Sequence, residues 1–551
     1  MDATAQQGHD AQTMRPARPR PLSLAETARL AGGTLGAGEA SAAVTGVSLD
    51  SRQLRPGDLY AALPGARAHG AQFAADARRA GAVAVLTDTA GRELLERSGV
   101  GLPVVVAPDP RRSVGAIAAR VYGSRPEDGT APALFAVTGT NGKTTTTYFT
   151  NSLLRALGHR TGLIGTIEIL AGDESIPSRL TTPEAPHVHS LLALMRERGI
   201  TAASMEVSSH ALQFHRVDGV RYDVAGFTNL TQDHLDLHGS MEEYFAVKAQ
   251  LFTPERTRRA VVVVQDVDDA WGLRMAEHAR EQLGAEHVDT IALRGDVPGD
   301  RNGGPDRHGA DWTLTALDRR GIGHAFELRH RDGRALRVST GLPGDFNVAN
   351  AALAVVMVVA SGAGVADVQR ALDDADPLTT DVPGRMQLVG TEPTAVVDFA
   401  HNPDALRRAL GAVEPPGRGG RLIVVFGATG ERDRSKRPIM GEVAARHADV
   451  VIVTDDDPHD EEPAGIREQV AGGARAAQEA GARATEVLVL EPRAVAIRAA
   501  VAMAGPEDSV LVAGRGHETV QEIRGVDHPL DDREELRAAL ADAQQGRWED
   551  R

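Results

Sequence analysis

Residues 134–147 read LFAVTGTNGKTTTT, an apolar run followed by two glycines, a lysine and a row of threonines. The apolar run predicts a buried strand, and the pattern after it predicts a helix over 144–157. Between them, backbone amides, the start of the helix and the ammonium of Lys143 would together bind phosphate groups. The full pattern GxxxxGK[ST] needs glycine where Val137 stands. We therefore interpret the segment as a shortened phosphate-binding loop, with Thr144 on a Mg²⁺ ion.

The chain on either side of this loop alternates β-rich runs with Ala-rich helical stretches. Because 551 residues exceed what one hydrophobic core accommodates, we expect several domains. The sequence predicts an α/β protein with a small α/β N-terminal domain, a central P-loop ATPase-like parallel sheet and a C-terminal Rossmann-like doubly wound sheet. Polar, Pro/Gly-bearing segments place the boundaries, which give a disordered tail over 1–20 and domains over 21–128, 129–380 and 381–551.

Two details of the central domain are also predicted. Strand-like runs over 312–340 indicate an antiparallel edge that follows a breaker-rich loop over 294–310. Residues 351–360 are apolar on every face and predict a buried helix, since the run is too short for a membrane span.

Composition argues against several classes of protein. A formal net charge of −16 disfavours nucleic-acid binding. The absence of cysteine excludes disulfides and thiolate metal sites and fits a reducing compartment, so we expect a cytoplasmic protein. The first twenty residues lack the apolar segment of a signal peptide, and no uncharged apolar run reaches the ~18 residues that membrane insertion needs.

Lysine is rare in this chain. Lys143, Lys248 and Lys436 are the only lysines among 60 basic residues. Where arginine otherwise prevails, a retained lysine indicates a need for its compact, reactive amine. Lys248 lies in YFAVKAQLF (244–252), whose apolar positions predict a largely buried helix. A buried, unpaired ammonium is costly, so Lys248 has either a carboxylate partner or a chemical modification.

Two polar groups follow predicted strands near the phosphate loop. Glu206 ends the strand AASMEV, and His234 lies in the loop after the strand over 223–229. Because the carboxyl ends of parallel strands meet at one edge of a sheet, both side chains should reach the phosphate site. A carboxylate oxygen and an imidazole nitrogen there predict ligands for one or two Mg²⁺ ions.

Taken in order, these motifs resemble the Mur ligase family, which builds the peptide of bacterial cell-wall precursors by ATP-dependent amide formation. The resemblance is to the branch that adds the third residue, and it spans nearly the whole chain. The matching motifs are LDSRQLRPGDLYAALPG (49–65), TGTNGKTTT (138–146), TTP (181–183), MEVSSHAL (205–212), FTNLTQDHLDLHG (227–239), YFAVKAQLF (244–252), GDFNVAN (344–350), VPGRM (382–386), VDFAHNPDAL (397–406), GERDRSKRPIM (430–440) and GRGHET (514–519).

The resemblance implies roles for these residues. Lys248 would be carbamylated and would hold the second of two Mg²⁺ ions together with His234. The catalytic residues would be Lys143, Glu206, His234 and Lys248, and the metal ligands would be Thr144, Glu206, His234 and Lys248. ATP would contact Gly139, Thr140, Asn141, Gly142, Lys143, Thr144, Thr145, Asn347, Arg385 and Asp398. The UDP-muramoyl peptide would contact Leu49, Ser51, Thr181, Thr182, Ser208 and Arg216. The incoming amino acid would contact Arg432, Asp456, Asp457, His459, Gly514 and Glu518.

The resemblance also implies the reaction. ATP would phosphorylate the D-Glu γ-carboxylate of UDP-N-acetylmuramoyl-L-alanyl-D-glutamate, and the amino group of a diamino acid would displace phosphate from the acyl phosphate. Family members that add diaminopimelate carry Asp-Asn-Pro-Arg, whose arginine binds the distal carboxylate. This chain has Asp456-Asp457-Pro458-His459 instead. The acidic residues favour a cationic side chain, so we expect L-lysine or a similar diamino acid, with diaminopimelate and ornithine as alternatives.

The sequence leaves two other functions open. One is a different amide ligase of the same superfamily, of the folylpolyglutamate or cyanophycin type, which the segment 49–65 disfavours. The other is a catalytically silent, nucleotide-gated protein that senses muropeptides, which the intact set Lys143, Glu206, His234 and Lys248 disfavours. The protein is expected to be a monomer.

Overall fold

The structure is a computed structural model that describes residues 14–36, 40–65, 67–125, 130–265, 268–293, 310–415 and 419–545. These residues form three α/β domains, each built on one main sheet with helices against it, which confirms the predicted fold class. The segment 1–13 and nearly all of the predicted loop 294–310 lie outside the described residues.

The N-terminal domain is a small α/β unit. Its strands are β1 (Leu22–Ser23), β2 (Thr34–Leu35), β3 (Ala43–Val44), β4 (Gly46–Ser48), β5 (Asp58–Ala61), β6 (Ala84–Thr87) and β7 (Val104–Val106). Its helices are α1 (Leu24–Leu30), α2 (Ala74–Arg79), α3 (Thr89–Ser98) and α4 (Pro110–Tyr122). The main sheet has the order β2-β7-β6-β5-β4, with β4 to β7 parallel.

The segment Met14–Arg20, expected to belong to a disordered tail, instead joins the first two domains. The guanidinium of Arg15 donates to both carboxylate oxygens of Asp58, at 2.5 and 2.6 Å. The backbone N–H of Ala17 donates to Glu197 at 2.8 Å. Polar contacts with distant residues order this segment, and Met14 is buried in the apolar core of the central domain. Contacts with residues so far away in the chain leave no local pattern in the sequence.

The central domain contains an eleven-stranded sheet. Its strands are β8 (Ala133–Thr138), β9 (Thr161–Ile164), β10 (Glu168–Ala171), β11 (Glu174–Pro177), β12 (Ala202–Glu206), β13 (Tyr222–Phe227), β14 (Thr257–Val264), β15 (Val288–Ala292), β16 (Trp312–Arg320), β17 (Gly323–His330) and β18 (Ala335–Thr340). Its helices are α5 (Lys143–Ala156), α6 (Ala185–Glu197), α7 (Ser209–Gln213), α8 (Leu235–His238), α9 (Met241–Ala249), α10 (Ala270–Leu283), α11 (Asp345–Ala360) and α12 (Val365–Ala375).

The order of this sheet places the functional segments side by side. It reads β11-β10-β9-β12-β8-β13-β14-β15-β16-β17-β18, with β8 parallel to both β12 and β13. The loops that follow these three strands therefore leave the same edge. The antiparallel edge predicted over 312–340 is confirmed as β16 to β18. A second antiparallel pair, β10 and β11, was not predicted.

Helix α11 is buried along most of its length, as predicted for 351–360. Its side chains from Ala351 to Val358 belong to the apolar core that also includes Phe149 and Leu153 of α5. Across the described parts of the chain, no helix combines the length and the apolarity that crossing a bilayer requires.

The C-terminal domain is a six-stranded, mostly parallel sheet. Its strands are β19 (Gln387–Thr391), β20 (Thr394–Asp398), β21 (Leu422–Phe426), β22 (Val450–Val453), β23 (Glu486–Val489) and β24 (Ser509–Ala513), followed by a separate hairpin of β25 (Val520–Ile523) and β26 (Val526–Pro529). Its helices are α13 (Pro403–Ala412), α14 (Lys436–His447), α15 (Pro463–Glu479), α16 (Arg493–Met503) and α17 (Asp532–Gln544). The sheet order is β19-β20-β24-β21-β22-β23.

A buried ion pair holds two strand ends of this sheet together. Arg493 and Asp532 are both fully buried, and two hydrogen bonds of 2.7 Å join them. The same guanidinium donates to the carbonyl of Asp455 at 3.0 Å and to that of Ala513 at 2.8 Å. These carbonyls directly precede Asp456 and Gly514, so the pair positions two predicted amino-acid-binding residues.

We predict that Arg493→Met lowers the free energy of unfolding by about 3–5 kcal/mol, because it leaves the Asp532 carboxylate buried without a partner. Urea unfolding followed by circular dichroism measures the loss. Arg498→Met, on the same helix, is the matched control. Arg498 pairs with Glu535 at the surface, so its removal should cost less than about 1 kcal/mol. Equal losses for the two variants would contradict this account.

Candidate active site

The phosphate-binding loop leaves the carboxyl end of β8 and enters α5. Gly139 and Gly142 adopt positive φ angles of 147° and 89°. A Cβ on Gly139 would lie 1.9 Å from Oγ1 of Thr228, and one on Gly142 would lie 2.3 Å from Oδ1 of Asn350. Both positions therefore need glycine for the loop to turn between the end of β13 and helix α11.

Two lysine side chains meet at one backbone oxygen of this loop. Nζ of Lys143 donates to the carbonyl of Gly139 at 3.0 Å, and Nζ of Lys248, on α9, donates to the same oxygen at 2.9 Å. Two ammonium groups that share one acceptor repel each other, and burial strengthens the repulsion. At least one of the two amines is therefore neutral or modified.

Lys248 is the better candidate for a neutral amine. Its side chain is 1% exposed, and its Nζ lies 4.6 Å from the centroid of the Tyr244 ring. Burial, followed by the ammonium of Lys143, holds the pKa of Lys248 well below its usual range. Among the side chains that the structure describes, no carboxylate forms an ion pair with Lys248. Of the two explanations that the sequence left open, chemical modification agrees with these surroundings.

Glu206 ends β12 beside the phosphate loop and is 1% exposed. Its carboxylate accepts hydrogen bonds from the hydroxyl of Thr144 at 2.9 Å and from the backbone N–H and the hydroxyl of Thr166 at 2.7 and 3.0 Å. All three donors are uncharged. A buried carboxylate with only neutral partners has unused capacity to bind a cation.

His234 lies at the start of α8 in the left-handed conformation, with φ 52°. Its ring centroid lies 6.4 Å from that of Tyr244, and Nζ of Lys248 lies over the same Tyr244 ring. Burial lowers the pKa of His234 to about 3, although the neighbouring Asp233 opposes the shift. The imidazole is thus neutral and has a lone pair for a metal ion.

The donor set fits Mg²⁺. Thr144, Glu206 and His234 provide a hydroxyl, a carboxylate and a neutral imidazole around the phosphate loop, and a hard divalent cation binds such groups while it keeps several waters. Glu206 makes no direct ion pair among the described residues, although the charges of Lys143 and Arg385 act on it, so its carboxylate oxygens remain available to a metal ion.

The residues predicted to hold the muramoyl peptide in the central domain lie together beside Glu206. The hydroxyl of Thr182 donates to the backbone oxygen of Glu206 at 2.8 Å and accepts from the backbone N–H of Ser208 at 3.2 Å. Arg216 donates to the carbonyl of Thr182 at 3.3 Å. The hydroxyl of Thr181 lies 3.1 Å from that of Thr166, which also touches Glu206. The predicted acceptor pocket is thus continuous with the predicted metal site.

The two predicted contacts in the N-terminal domain follow β4. Leu49 and Ser51 are partly buried on either side of Asp50. Hydrogen bonds from Arg52 are the main cause of the lowered pKa of Asp50, and the imidazole of His187, in the first turn of α6, is a smaller one. This loop therefore faces the amino end of a central-domain helix.

The three predicted nucleotide residues outside the phosphate loop lie in different elements. Arg385 donates to Oγ1 of Thr144 at 3.3 Å and stacks over the Phe399 ring at 4.1 Å. Asp398 ends β20 and accepts from the backbone N–H of Met386 at 2.7 Å. Asn347, in the first turn of α11, is 1% exposed and bonds to Asn350 at 3.0 Å. Arg385 therefore contacts the predicted metal site in the central domain and Phe399 in the C-terminal domain.

The predicted amino-acid site divides into a cluster and two outer residues. One ligand atom from each of Asp456, Asp457 and Glu518 lies within 4.8 Å of the others. Arg515, fully buried, contacts Asp457 and lies 3.7 Å from Glu518. Burial and then the charge of Asp456 raise the pKa of Glu518 to about 8. The acidic side chains therefore lie close enough to repel one another, and Glu518 keeps its proton to a higher pH than an isolated glutamate.

The other predicted amino-acid-binding residues differ in their positions. Gly514 lies against this cluster, since a Cβ there would be 2.6 Å from Oδ2 of Asp456. His459 contacts the carboxylate of Glu522 on β25. Arg432 is exposed on the loop before α14. Neither His459 nor Arg432 forms an ion pair with the cluster among the described residues.

Contacts between the central and C-terminal domains were missed in the sequence. Asn402 donates to Oδ1 of Asn141 at 3.3 Å and to Asp233 at 3.4 Å. Within the C-terminal domain, Nζ of Lys436 donates to the carbonyl of His401, next to Asn402, at 2.9 Å. These residues lie inside the motifs 138–146, 227–239, 397–406 and 430–440. Their contacts across one cleft join polar groups far apart in sequence, which the separate motifs do not reveal.

A phosphate loop, a metal donor set and an acceptor pocket at the junction of three domains define an ATP-dependent ligase. Three family models match the chain: the Mur ligase family catalytic domain over 43–122, the Mur ligase middle domain over 137–358 and the Mur ligase glutamate ligase domain over 384–516. The chain belongs to the Mur ligase family.

Relatives narrow the branch of the family. The chain is 44% identical over 534 residues to a UDP-N-acetylmuramoyl-L-alanyl-D-glutamate–2,6-diaminopimelate ligase of Streptomyces coelicolor, over 96% of this chain and 98% of the relative. It is 43% identical over 532 residues to a UDP-N-acetylmuramyl-tripeptide synthetase of Leifsonia xyli subsp. xyli, again over 96% and 98%.

Solved structures agree with this assignment. A UDP-N-acetylmuramoyl-L-alanyl-D-glutamate–2,6-diaminopimelate ligase matches with a TM-score of 0.62 and 31% identity, over 96% of this chain and all of that one. MurF from Acinetobacter baumannii matches with a TM-score of 0.60 and 18% identity, over 96% and 99%, and shows a shared fold.

We predict that Glu206→Gln lowers kcat on the order of 10²-fold, because the amide offers no negative charge to a metal ion at the phosphates. Steady-state phosphate release measures the loss. Glu174→Gln, on the exposed strand β11, is the control and should keep wild-type activity. Wild-type turnover by the Glu206 variant would contradict the role of this carboxylate.

Proposed function

We propose that the protein joins a diamino acid to the D-Glu γ-carboxylate of UDP-N-acetylmuramoyl-L-alanyl-D-glutamate at the expense of ATP. The observation that carries the proposal is the continuity at Glu206. Its carboxylate accepts from Thr144 of the phosphate loop, and its backbone oxygen accepts from Thr182 of the acceptor pocket. A carboxylate substrate held at Thr182 would therefore lie beside the terminal phosphate of ATP.

The chemistry follows from the inertness of a carboxylate toward amines. Attack on a free carboxylate would have to expel oxide, which is a very poor leaving group. The γ-phosphoryl group of ATP is therefore first transferred to the carboxylate to give an acyl phosphate. The free amine then attacks the carbonyl carbon, loses a proton and expels phosphate. Lys143 and Arg385 lie where they would stabilise charge on the transferred group.

Two Mg²⁺ ions are part of this proposal and would offset phosphate charge when bound. Thr144 and Glu206 would hold one ion, and His234 and a carbamylated Lys248 the other. A neutral Lys248 amine can attack CO₂, and the carbamate that forms is an anion. The site would then hold one ammonium, that of Lys143, and one anionic metal ligand in place of the neutral Lys248 amine.

The C-terminal cluster favours an incoming amino acid with a cationic side chain and no carboxylate next to it. Asp456 and Asp457 together outweigh Arg515 in charge, and Glu518, whose pKa is raised to about 8, adds a largely protonated carboxyl beside them. Two of the relatives are named for a different amino acid, 2,6-diaminopimelate. We propose L-lysine or a similar diamino acid, such as ornithine, on the basis of this cluster alone.

The test of the function is phosphate release from ATP by the purified protein with Mg²⁺. Release should require both the UDP-dipeptide and a diamino acid, and the product should be the UDP-tripeptide by mass spectrometry. Binding of ATP and the UDP-dipeptide without turnover would favour the muropeptide-sensing alternative and reject the ligase.

We predict that Lys248→Ala lowers kcat by at least about 10²-fold, because the variant has no carbamate ligand at the second metal site. A short carboxylate such as acetate, or high bicarbonate, should partly restore turnover by filling the vacated space with an anion. Lys436→Ala is the control: its activity should not respond to acetate. No rescue of Lys248→Ala would count against carbamylation.

We predict that L-lysine exceeds meso-diaminopimelate by at least tenfold in kcat/KM, since a distal carboxylate would face the acidic cluster. Parallel assays with lysine, ornithine and the diaminopimelate isomers measure the ratio. A ratio that favours meso-diaminopimelate would reject this preference while leaving the ligase reaction intact.

A further inference from the structure

A hairpin that the sequence analysis did not assign closes one side of the amino-acid cluster. Strands β25 and β26 follow directly after the motif GRGHET. The backbone N–H of Glu522, on β25, donates to Oδ1 of Asp457 at 3.1 Å. Arg515 contacts the same Asp457 oxygen and the carbonyl of Val520. The hairpin is therefore attached to the cluster through both its backbone and the buried arginine.

The side chain of Glu522 turns from the cluster to His459. Its Oε2 contacts Nδ1 of His459, and its Oε1 accepts from the backbone N–H of Gly525 at 2.6 Å. The backbone of His459 is bound to the same hairpin, since the N–H of Arg524 donates to its carbonyl at 2.9 Å. The φ of 51° at His459 shows that this residue is held in a left-handed turn.

This arrangement removes positive charge from the mouth of the site. Arg515 is committed to Asp457. His459, a second side chain here that can carry positive charge, contacts the carboxylate of Glu522. To bind His459, a substrate carboxylate would need the position that the Glu522 carboxylate already takes. The negative charge of Glu522 would repel it from there.

We propose that Glu522 is a specificity-determining residue. Because Glu522 binds His459, the histidine cannot pair with a distal carboxylate of the substrate, and amino acids that carry such a carboxylate are excluded. The proposal rests on the ligase function proposed above and names a residue that sets its substrate class. An ammonium group at the same place gains attraction from Glu522 and Asp457, whereas a carboxylate meets repulsion from both.

The test is a double-mutant cycle on substrate preference. The measured quantity is kcat/KM for meso-diaminopimelate divided by kcat/KM for L-lysine, in the wild type, Glu522→Gln, His459→Arg and the double variant. Each single change should raise the ratio by about threefold to tenfold. The double change should raise it by more than the product of the two, about 10²-fold or greater, because only then is a guanidinium free of its internal carboxylate.

Glu462→Gln is the matched control. Glu462 pairs with Arg524 of the same hairpin at 3.2 Å but is largely exposed. Its substitution should leave the ratio unchanged. Ratios that simply multiply in the double variant, or an equal shift in the control, would overturn the role of Glu522.

The outcomes separate this inference from the proposed function. If the wild type adds lysine and the Glu522→Gln ratio stays at the wild-type value, the inference fails and the ligase function stands. If the wild type already prefers meso-diaminopimelate, Glu522 excludes nothing and the inference is overturned. If the wild type adds no diamino acid, both the inference and the function are rejected.

Discussion

Two buried lysines that share one carbonyl oxygen set the conditions for the rest of the active site. Nζ of Lys143 and Nζ of Lys248 both donate to Gly139. Two full ammonium charges this close in a buried site are unfavourable, so the fold keeps one amine neutral. A neutral, nucleophilic amine beside a phosphate loop is chemically useful, because it can become an anion by reaction with CO₂. The burial that keeps this amine neutral thereby also prepares it for the modification that would provide a metal ligand.

The other parts of the active site are arranged around these two lysines. The parallel order of β12, β8 and β13 brings Glu206, the phosphate loop and the loop of His234 to one edge. From the opposite side of the cleft, Arg385 reaches Thr144, and Asn402 reaches Asn141. Domain contact and phosphate chemistry therefore involve the same residues, and closure would also exclude water from a reactive acyl phosphate.

Much of this could be predicted because its signals are local. The phosphate loop, the strand that ends at Glu206 and the buried helix of Lys248 are contiguous patterns, and the parallel sheet brings their ends together. The order of Met14–Arg20 and the contacts of Asp233 with the C-terminal domain could not be predicted, since they depend on polar groups far apart in sequence. The same holds for His459. The sequence shows a histidine at this position, but its contact with Glu522 depends on a hairpin over sixty residues away.

The central claim is that the Lys248 amine carries a carbamate. The most direct measurement is a ¹³C NMR spectrum of the intact protein in ¹³C-labelled bicarbonate, with Mg²⁺, compared with that of Lys248→Ala. We expect one carbamate carbonyl resonance in the wild type that is absent from the variant. Identical spectra, without a resonance that depends on Lys248, would contradict the account.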